Sequence, residues 1–391
     1  MKQLWTTEES ASSGERALLA QVALGRFDPA EAEDSLAELE RLANTAGVAV
    51  AGSVTQRRMK PTAGFLIGTG KLADLQLACR QGQANVVIFD NELNAIQVNN
   101  LDRALGIRVI DRTELILQIF ARRARSAEAQ IQVELAQRQY LVSRIPVSEA
   151  QQRFQGGIGM RGPGESPLRL RNEPMRRRIR ELKRKLERVQ ARRQRTRMRR
   201  PWPLVSLVGY TNAGKSTLLN ALTDSAAYVD DLLFATLDTK TRRLDLGGGH
   251  AALLTDTVGF IRRLPHGLVA SFRSTLDVAA ESELLLIVAD AGHARLNDHL
   301  RVVHNTLREI GADRVKRLLV FNKCDTLSPD RRDTIRQRWP DALLASAARG
   351  TGLDEIRRAI AGACPPVVAP RRSGEAAPNP ASQRSLPHAC V

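Results

Sequence analysis

The segment GYTNAGKS at residues 209–216 restricts the fold of this 391-residue chain more than any other stretch. It matches the phosphate-loop pattern G-x-x-x-x-G-K-[ST] at every fixed position and lies between an apolar run, LVSLV, and a helix-like run, LLNAL. In such a loop, backbone N–H groups at a helix N-terminus bind phosphate oxygens. We therefore expect an α/β domain with a mostly parallel sheet and helices on both faces, in which Lys215 reaches the β- and γ-phosphates and Ser216 binds Mg²⁺.

A second motif indicates which base the nucleotide carries. The apolar run RLLVF is followed by Asn322, Lys323 and Asp325 in the pattern N-K-x-D. An aspartate carboxylate accepts hydrogen bonds from N1–H and the N2 amine of guanine, a pair of donors that adenine does not offer. Asn322 is expected to hold the base N7, Lys323 to pack over the base, and the backbone of Ser346 and Ala347 to meet the guanine O6. The motif favours GTP and GDP over ATP.

The segments that respond to the γ-phosphate lie between these two motifs. Asp256 and Gly259 belong to DTVG, which fits D-x-x-G. The aspartate is expected to reach Mg²⁺ through water, and the Gly259 N–H to bind the γ-phosphate. Thr236 in FATLD lies upstream, where a threonine hydroxyl completes the magnesium shell only in the GTP state. Asp238 and Thr239 are alternatives for that ligand.

The predicted site gathers five short stretches of chain and divides into three roles. Catalysis is assigned to Lys215, Thr236 and Gly259. Metal ligation is assigned to Ser216 and Thr236. Nucleotide binding is assigned to Gly209, Tyr210, Thr211, Asn212, Ala213, Gly214, Lys215, Ser216, Thr217, Phe234, Ala235, Thr236, Leu237, Asp238, Asp256, Thr257, Val258, Gly259, Asn322, Lys323, Cys324, Asp325, Ser346, Ala347 and Ala348.

Hydrolysis requires a group that orients the attacking water, and the residue directly after DTVG is Phe260. Many GTPases have a glutamine there. Because a phenyl ring cannot hydrogen-bond water, intrinsic hydrolysis is expected to be slow and to depend on a partner. Asn212 leaves two interpretations open: it stabilises the phosphate loop, or it holds K⁺, which supplies positive charge at the transition state.

The positive charge of the chain is concentrated in one segment. The chain has 59 Lys and Arg against 42 Asp and Glu, a formal net charge of +17, and residues 171–200 hold 15 of these bases and three acids. Apolar residues step by 4, 3, 4 and 3 through this segment, from Met175 to Val189, which predicts a helix packed in a hairpin against the helix around Ile131 and Leu135. The unbalanced charge favours contact with phosphates, so we expect an RNA partner.

Four regions are distinguished by their patterns. Residues 1–125 alternate short apolar runs with helical stretches, which predicts a small N-terminal α/β domain with parallel strands. Residues 126–200 are the predicted basic hairpin with a glycine-rich tip, and residues 201–364 hold the nucleotide-binding motifs. The proline-rich residues 365–391 are expected to be disordered because such a composition cannot bury a core.

The sequence also predicts where the protein works. The first fifteen residues lack the apolar core of a signal peptide, and the longest apolar run, 284–289, is too short to span a bilayer. The cysteines are far apart, which fits a reducing compartment. We therefore expect a cytoplasmic protein with no membrane span, and a monomer because no feature requires a dimer.

The motifs and their order resemble the HflX family of ribosome-associated GTPases, in the translation-factor class. GYTNAGKSTLLNAL, FATLD, DTVGFIRRLPHGLVASFRSTL and NKCD are similar to that family's GTPase motifs, and GGIGMRGPGES to its glycine-rich segment. The resemblance implies GTP-dependent binding to the large ribosomal subunit through ribosomal RNA, and dissociation of stalled ribosomes. The stretch GESPLRLRNEPMRRR differs from the family's usual threonine- and glutamine-containing stretch, which indicates a diverged paralogue.

The sequence thus favours a GTP-hydrolysing switch that uses Mg²⁺, with K⁺ as a further candidate, and that associates with the large ribosomal subunit. The alternative is an RNA- or ribosome-binding protein whose affinity is regulated by nucleotide and whose turnover is negligible. An ATP-dependent RNA remodeller is disfavoured by Asp325. No DNA partner is expected.

Overall fold

The computed structural model describes residues 14–25, 28–144, 167–197, 201–225, 232–262 and 273–364. The glycine-rich tip predicted between the two hairpin helices and the proline-rich tail lie outside these residues. Within the described part, the helices do not contain an apolar stretch long enough to cross a membrane.

The N-terminal region is a small α/β unit. Its elements are β1 (Arg16–Leu24), α1 (Pro29–Thr45), β2 (Ala49–Arg58), α2 (Thr69–Gln81), β3 (Val86–Phe89), α3 (Ala95–Leu105), β4 (Arg108–Asp111) and α4 (Arg112–Arg123). The strands pair in the order β2-β1-β3-β4, and every pairing is parallel. Parallel pairing requires crossover helices, which accounts for the strict alternation of strand and helix.

Side-chain alternation along the strands divides the core of this unit into two layers. Ile88 of β3 packs with Leu39 of α1 and Leu115 of α4, whereas the next residue, Phe89, packs with Leu75 of α2 on the other face. Both faces of the sheet are therefore covered by helices, as a parallel sheet requires.

Two helices follow and pack against each other: α5 (Ala127–Ser143) and α6 (Pro167–Arg197). Leu135 of α5 and Leu182 of α6 lie at the centre of their contact. Arg178 donates to both carboxylate oxygens of Glu134, at 2.8 and 2.9 Å, and this hydrogen bonding lowers the pKa of Glu134. The apolar seam and this bidentate ion pair thus hold α6 on α5. Between residues 173 and 192, where the side chains are described, the arginines of α6 other than Arg178 are exposed.

The remaining elements form a second α/β unit. They are β5 (Leu204–Gly209), α7 (Lys215–Leu222), β6 (Lys240–Gly247), β7 (His250–Asp256), α8 (Arg273–Ala280), β8 (Leu284–Asp290), α9 (Leu296–Glu309), β9 (Lys316–Asn322), α10 (Pro329–Arg338), β10 (Leu343–Leu344) and α11 (Leu353–Ala363). The strand order is β10-β9-β8-β5-β7-β6, with only the β6–β7 pair antiparallel among the described strands.

The phosphate loop occupies the position in this sheet where ligands usually bind. It follows β5, which lies between β7 and β8, so the connections on its two sides run in opposite directions. Such a switch point leaves a crevice beyond the carboxyl ends of the strands. The expected α/β class with a mostly parallel sheet is confirmed.

The two α/β units share a core, which the sequence pattern did not predict. Phe120 of α4 and Val133 of α5 belong to the same buried cluster as Leu233, Phe234 and Leu237, which precede β6. The rings of Phe120 and Phe234 meet edge to face with centroids 4.7 Å apart. The segment that contains Thr236 therefore packs on the N-terminal unit and the hairpin rather than facing solvent.

Candidate functional site

The phosphate loop has a backbone that its glycines make possible. A Cβ on Gly209 would lie 2.1 Å from the Val288 carbonyl oxygen, and one on Gly214, which has φ +84°, would lie 2.3 Å from the Asn322 amide nitrogen. Helix α7 begins directly after Gly214 with no side-chain cap. Because the first N–H groups of a helix have no partner within it, those of α7 are available to phosphate oxygens.

Lys215 is buried at the base of the loop. Its Nζ donates to the carbonyl oxygens of Gly209 at 3.2 Å and Tyr210 at 2.9 Å. Burial lowers the pKa of Lys215 to about 8, and the charge of nearby Asp256 opposes that shift. A lysine held this way gains most from an anionic ligand, because phosphate charge favours its protonated form.

Ser216, Thr236 and Asp256 form a hydrogen-bonded cluster next to the loop. The Ser216 and Thr236 hydroxyls lie 2.9 Å apart, and they donate to Oδ2 of Asp256 at 2.5 and 2.9 Å. Oδ1 of Asp256 is buried and has no hydrogen-bond partner among the described residues, and burial raises the pKa of this carboxyl group. Two hydroxyls and a carboxylate with a spare oxygen fit Mg²⁺, which prefers oxygen ligands.

The DTVGF segment runs beside the phosphate loop. Thr211 N–H donates to the Phe260 carbonyl at 2.8 Å, and Phe260 N–H donates to the Gly209 carbonyl at 3.0 Å. A Cβ on Gly259 would lie 2.8 Å from Thr211 Cα and 2.9 Å from Lys215 Nζ, so only glycine fits this approach. Gly259 therefore lies directly beside the Lys215 ammonium group.

Phe260 turns its ring away from this cleft. The side chain is 2% exposed and packs with Leu276 and Ile287 in the core of the second unit. The residue after D-x-x-G is thus a core residue in this chain and not a water-orienting one.

The predicted base-reading residues meet at the carboxyl end of β9. The Asn322 side chain donates to the Ala213 carbonyl and accepts from the Ala347 N–H, both at 3.0 Å, so it ties the phosphate loop to the loop after β10. Asp325 is exposed, and a hydrogen bond with Ser346 lowers its pKa. An exposed, ionised carboxylate at this position is suited to bind the two guanine donors.

Lys323 is positioned by a residue that sequence reasoning missed. Its Nζ lies 2.8 Å from Oδ2 of Asp290, at the end of β8, and its backbone has φ +59°. Asp290 is separated from Lys323 by a full crossover, but β8 and β9 are neighbours in the sheet. The sequence did contain a signal for this contact, because Asp290 is an acidic residue at the carboxyl end of β8, the strand next to β9.

Most of the assigned residues near the phosphates line one cleft. Its lining comprises Thr211, Asn212, Gly214, Lys215, Ser216, Thr217, Leu232, Phe234, Ala235, Thr236, Thr257 and Gly259. Seven assigned residues of these segments are not part of this lining: Gly209, Tyr210, Ala213, Leu237, Asp238, Asp256 and Val258. Leu237 and Val258 are buried in the core shared with the N-terminal unit, and the carboxylate of Asp238 binds the start of α5 instead of joining the hydroxyl cluster.

Family models match this chain in three consecutive segments. Residues 33–121 match a GTP-binding GTPase N-terminal domain, residues 123–200 a GTP-binding GTPase middle region, and residues 204–323 a 50S ribosome-binding GTPase domain. GTPase HflX of Caldanaerobacter subterraneus subsp. tengcongensis is 44% identical over 361 residues, which cover 90% of this chain and 81% of that protein. This chain belongs to the HflX family of GTPases. It hydrolyses GTP, as the resemblance of its motifs implied.

A second curated relative and a solved structure are also similar to this chain. GTPase HflX of Escherichia coli (strain K12) is 40% identical over 356 residues, covering 89% of this chain and 82% of that protein. A crystal structure of SsGBP in complex with GDP covers 89% of this chain and 98% of SsGBP, with 26% identity and a TM-score of 0.50. Both similarities thus extend over most of the chain, including the two α/β units and the hairpin.

Proposed function

We propose that this HflX-family GTPase is a switch that binds the large ribosomal subunit in its GTP state and is reset when the subunit stimulates hydrolysis. The observation that carries the proposal is the burial of Phe260 directly after DTVG. This position offers no hydrogen-bonding group to the attacking water, so the missing group must come from elsewhere. A 50S ribosome-binding GTPase model matches residues 204–323, which supports the large subunit as the source.

The exposed face of α6 supports RNA as the contact. Arg176, Lys183, Arg184 and Arg188 are exposed on this helix. Exposed Lys and Arg bind nucleic acid by displacing counterions from its phosphates, so the affinity of this face should fall steeply with salt. With the family's dissociation of stalled ribosomes as a precedent, we assign this chain a role in ribosome dissociation or rescue.

The chain's own residues account for the chemistry before the partner acts. Lys215 binds the β- and γ-phosphates, and the free N–H groups of α7 hold the phosphate oxygens. Ser216, Thr236 and Asp256 would hold Mg²⁺, and the bound ion would supply positive charge that neutralises the β- and γ-phosphates. The hydrogen bonds of the Thr236 hydroxyl with Ser216 and Asp256 hold it at the proposed metal site, next to the γ-phosphate. Asn212 remains a candidate ligand for K⁺.

GTP turnover with and without purified large ribosomal subunits tests the proposal, with ATP as the control nucleotide. We expect a GTP-specific stimulation of turnover on the order of 100-fold or more, as partner-supplied groups give in other GTPases. Flat turnover with retained GTP binding would support the alternative, a nucleotide-regulated ribosome-binding protein with negligible activity. A cytoplasmic location stays a prediction of the sequence.

The RNA contact has its own test. The double variant Lys183→Glu and Arg184→Glu should weaken binding to the large subunit and make its salt dependence shallower by roughly 1 to 2 in slope. The double variant Arg314→Glu and Arg331→Glu, at two exposed residues of the second α/β unit, is the matched control. Equal losses in the two variants would show that α6 is not the RNA-binding face.

A further inference from the structure

Residues 232–238, the switch I segment, are fixed to the N-terminal unit at several points. The Leu233 N–H donates to Oγ1 of Thr45 in α1 at 3.2 Å. The Phe234 ring packs on Phe120 of α4, and Leu237 is buried in the shared core. Phe234 also has φ +55°, a conformation that a bulky side chain adopts only when its surroundings impose it.

Asp238 ends this segment and binds the start of the hairpin. Its carboxylate accepts from the backbone N–H groups of Arg125 at 3.1 Å and Ser126 at 3.0 Å, and from the Ser126 hydroxyl. Ser126 is the N-cap of α5, and its Oγ also accepts from the Ala129 N–H at 3.1 Å. A carboxylate at a helix N-terminus is further favoured by the helix dipole. A residue of the nucleotide-binding unit therefore completes the capping of the first hairpin helix.

Two residues before Asp238, Thr236 lies in the hydroxyl cluster with Ser216 and Asp256. Two residues span at most about 7 Å of backbone, so neither Thr236 nor Asp238 can move far without the other. Residues 236–238 thus connect the Thr236 hydroxyl, at the proposed metal site, to the start of the hairpin.

We propose that Asp238 is a positioning residue for GTP hydrolysis: by binding the N-terminus of α5, it holds Thr236 at the metal site and couples hydrolysis to the position of the hairpin. The inference deepens the proposed function and rests on it, because the hairpin carries the RNA-binding face. A force on the hairpin would then act directly on switch I.

The two units have other connections, so removing this one should not separate them. Arg262 lies 3.1 Å from Asp34 of α1, and the Tyr210 hydroxyl donates to Glu38 of the same helix. Variants of Asp238 should therefore fold, with the N-terminal unit still in place.

Steady-state kinetics without ribosomes give the first test. Asp238→Ala should lower kcat for GTP on the order of tenfold, because misplacing a catalytic group by about 1 Å has effects of this size or larger. The affinity for GDP should stay within about twofold, since Thr236 acts only in the GTP state. The KM for GTP should change less than kcat, because the misplaced group acts mainly in the transition state. Asp238→Asn keeps one acceptor oxygen and should recover part of the rate. Asp341→Ala, an exposed acid of the second unit, is the control.

Pulsed electron paramagnetic resonance measures the coupling itself in the full chain. Spin labels are attached to cysteines introduced by Arg184→Cys in α6 and Asp330→Cys in α10. Cys390 is replaced by serine so that it does not react with the label. Cys79, Cys324 and Cys364 are buried, so they can stay. We expect a narrower distance distribution with a non-hydrolysable GTP analogue than with GDP. In Asp238→Ala, the two nucleotides should give the same distribution.

Three results would overturn the proposal: an unchanged kcat in Asp238→Ala, a nucleotide-dependent distance that survives in Asp238→Ala, or no nucleotide dependence in the unsubstituted chain. None of these measurements contains ribosomes. Loss of ribosomal stimulation with an intact Asp238 effect would instead contradict only the proposed function.

Discussion

The hydroxyl of Tyr210, in the phosphate loop, accepts the backbone N–H of Arg262 at 3.0 Å. The same hydroxyl donates to Glu38 of α1, and the Tyr210 ring stacks on His299 at 3.7 Å. One side chain thus joins the phosphate loop, the segment after DTVG and the N-terminal unit. Burial raises the pKa of Tyr210 to about 12 and lowers that of His299 to about 3, so the phenol is protonated and the imidazole neutral at pH 7.

Tyr210→Phe removes both hydrogen bonds and keeps the ring on His299. We expect the free energy of unfolding to fall by about 1–3 kcal/mol, because Glu38 loses a donor inside the protein. Urea denaturation of the nucleotide-free protein measures this change. A variant as stable as the unsubstituted protein would show that the Tyr210 hydroxyl does not help to hold the units together.

The lowered pKa of Lys215 predicts a pH-dependent stability. Between pH 8 and 10.5 the unfolded state binds more protons at this residue than the folded state, so its contribution makes the folded state more stable as pH rises. Relative to Lys215→Met, the nucleotide-free unsubstituted protein should gain about 3 kcal/mol between pH 7 and 10.5. Denaturation of both proteins across this range measures the difference. A constant difference would mean that Lys215 has an ordinary pKa.

Asp325→Asn tests the assignment of the guanine-binding carboxylate. The amide cannot accept from both guanine donors, so the affinity for GTP should fall on the order of 1000-fold, and xanthosine triphosphate should become the preferred nucleotide. Competition binding with the two nucleotides measures the preference. Asp330→Asn, at an exposed position of α10, should bind GTP as the unsubstituted protein does. Retained guanine preference in Asp325→Asn would contradict the assignment.

The sequence predicted those parts of the molecule that depend on local pattern. The phosphate loop requires glycines at fixed spacing, and the contact of Leu135 with Leu182 follows from apolar periodicity, so both could be predicted. The bonds of Tyr210 to Glu38 and of Asp238 to Ser126 join residues 172 and 112 positions apart. A polar pair at such separation has no periodicity, and its formation depends on how the units pack.

For the same reason, the sequence divided the chain into units without showing that they share a core. Leu237 was assigned to the nucleotide because it lies beside Thr236, but its side chain packs with Phe120 and Val133. A buried apolar residue next to a binding motif gives no signal of which neighbouring unit it will contact. The information that the sequence pattern lacks thus concerns the interface between the units.

The backbone conformation of Asn212 allows a test between its two candidate roles, stabilising the phosphate loop and holding K⁺. It has φ +60°, which asparagine tolerates and glycine adopts freely, so Asn212→Gly keeps the loop conformation and removes the amide oxygen. If the amide holds K⁺, GTP turnover should be on the order of tenfold faster in K⁺ than in Na⁺, and Asn212→Gly should abolish this preference. If Asn212 only stabilises the loop, Asn212→Gly should leave the ratio of the two rates unchanged. Measuring both proteins in both salts at equal ionic strength decides between a cation that assists catalysis and a side chain that only shapes the loop.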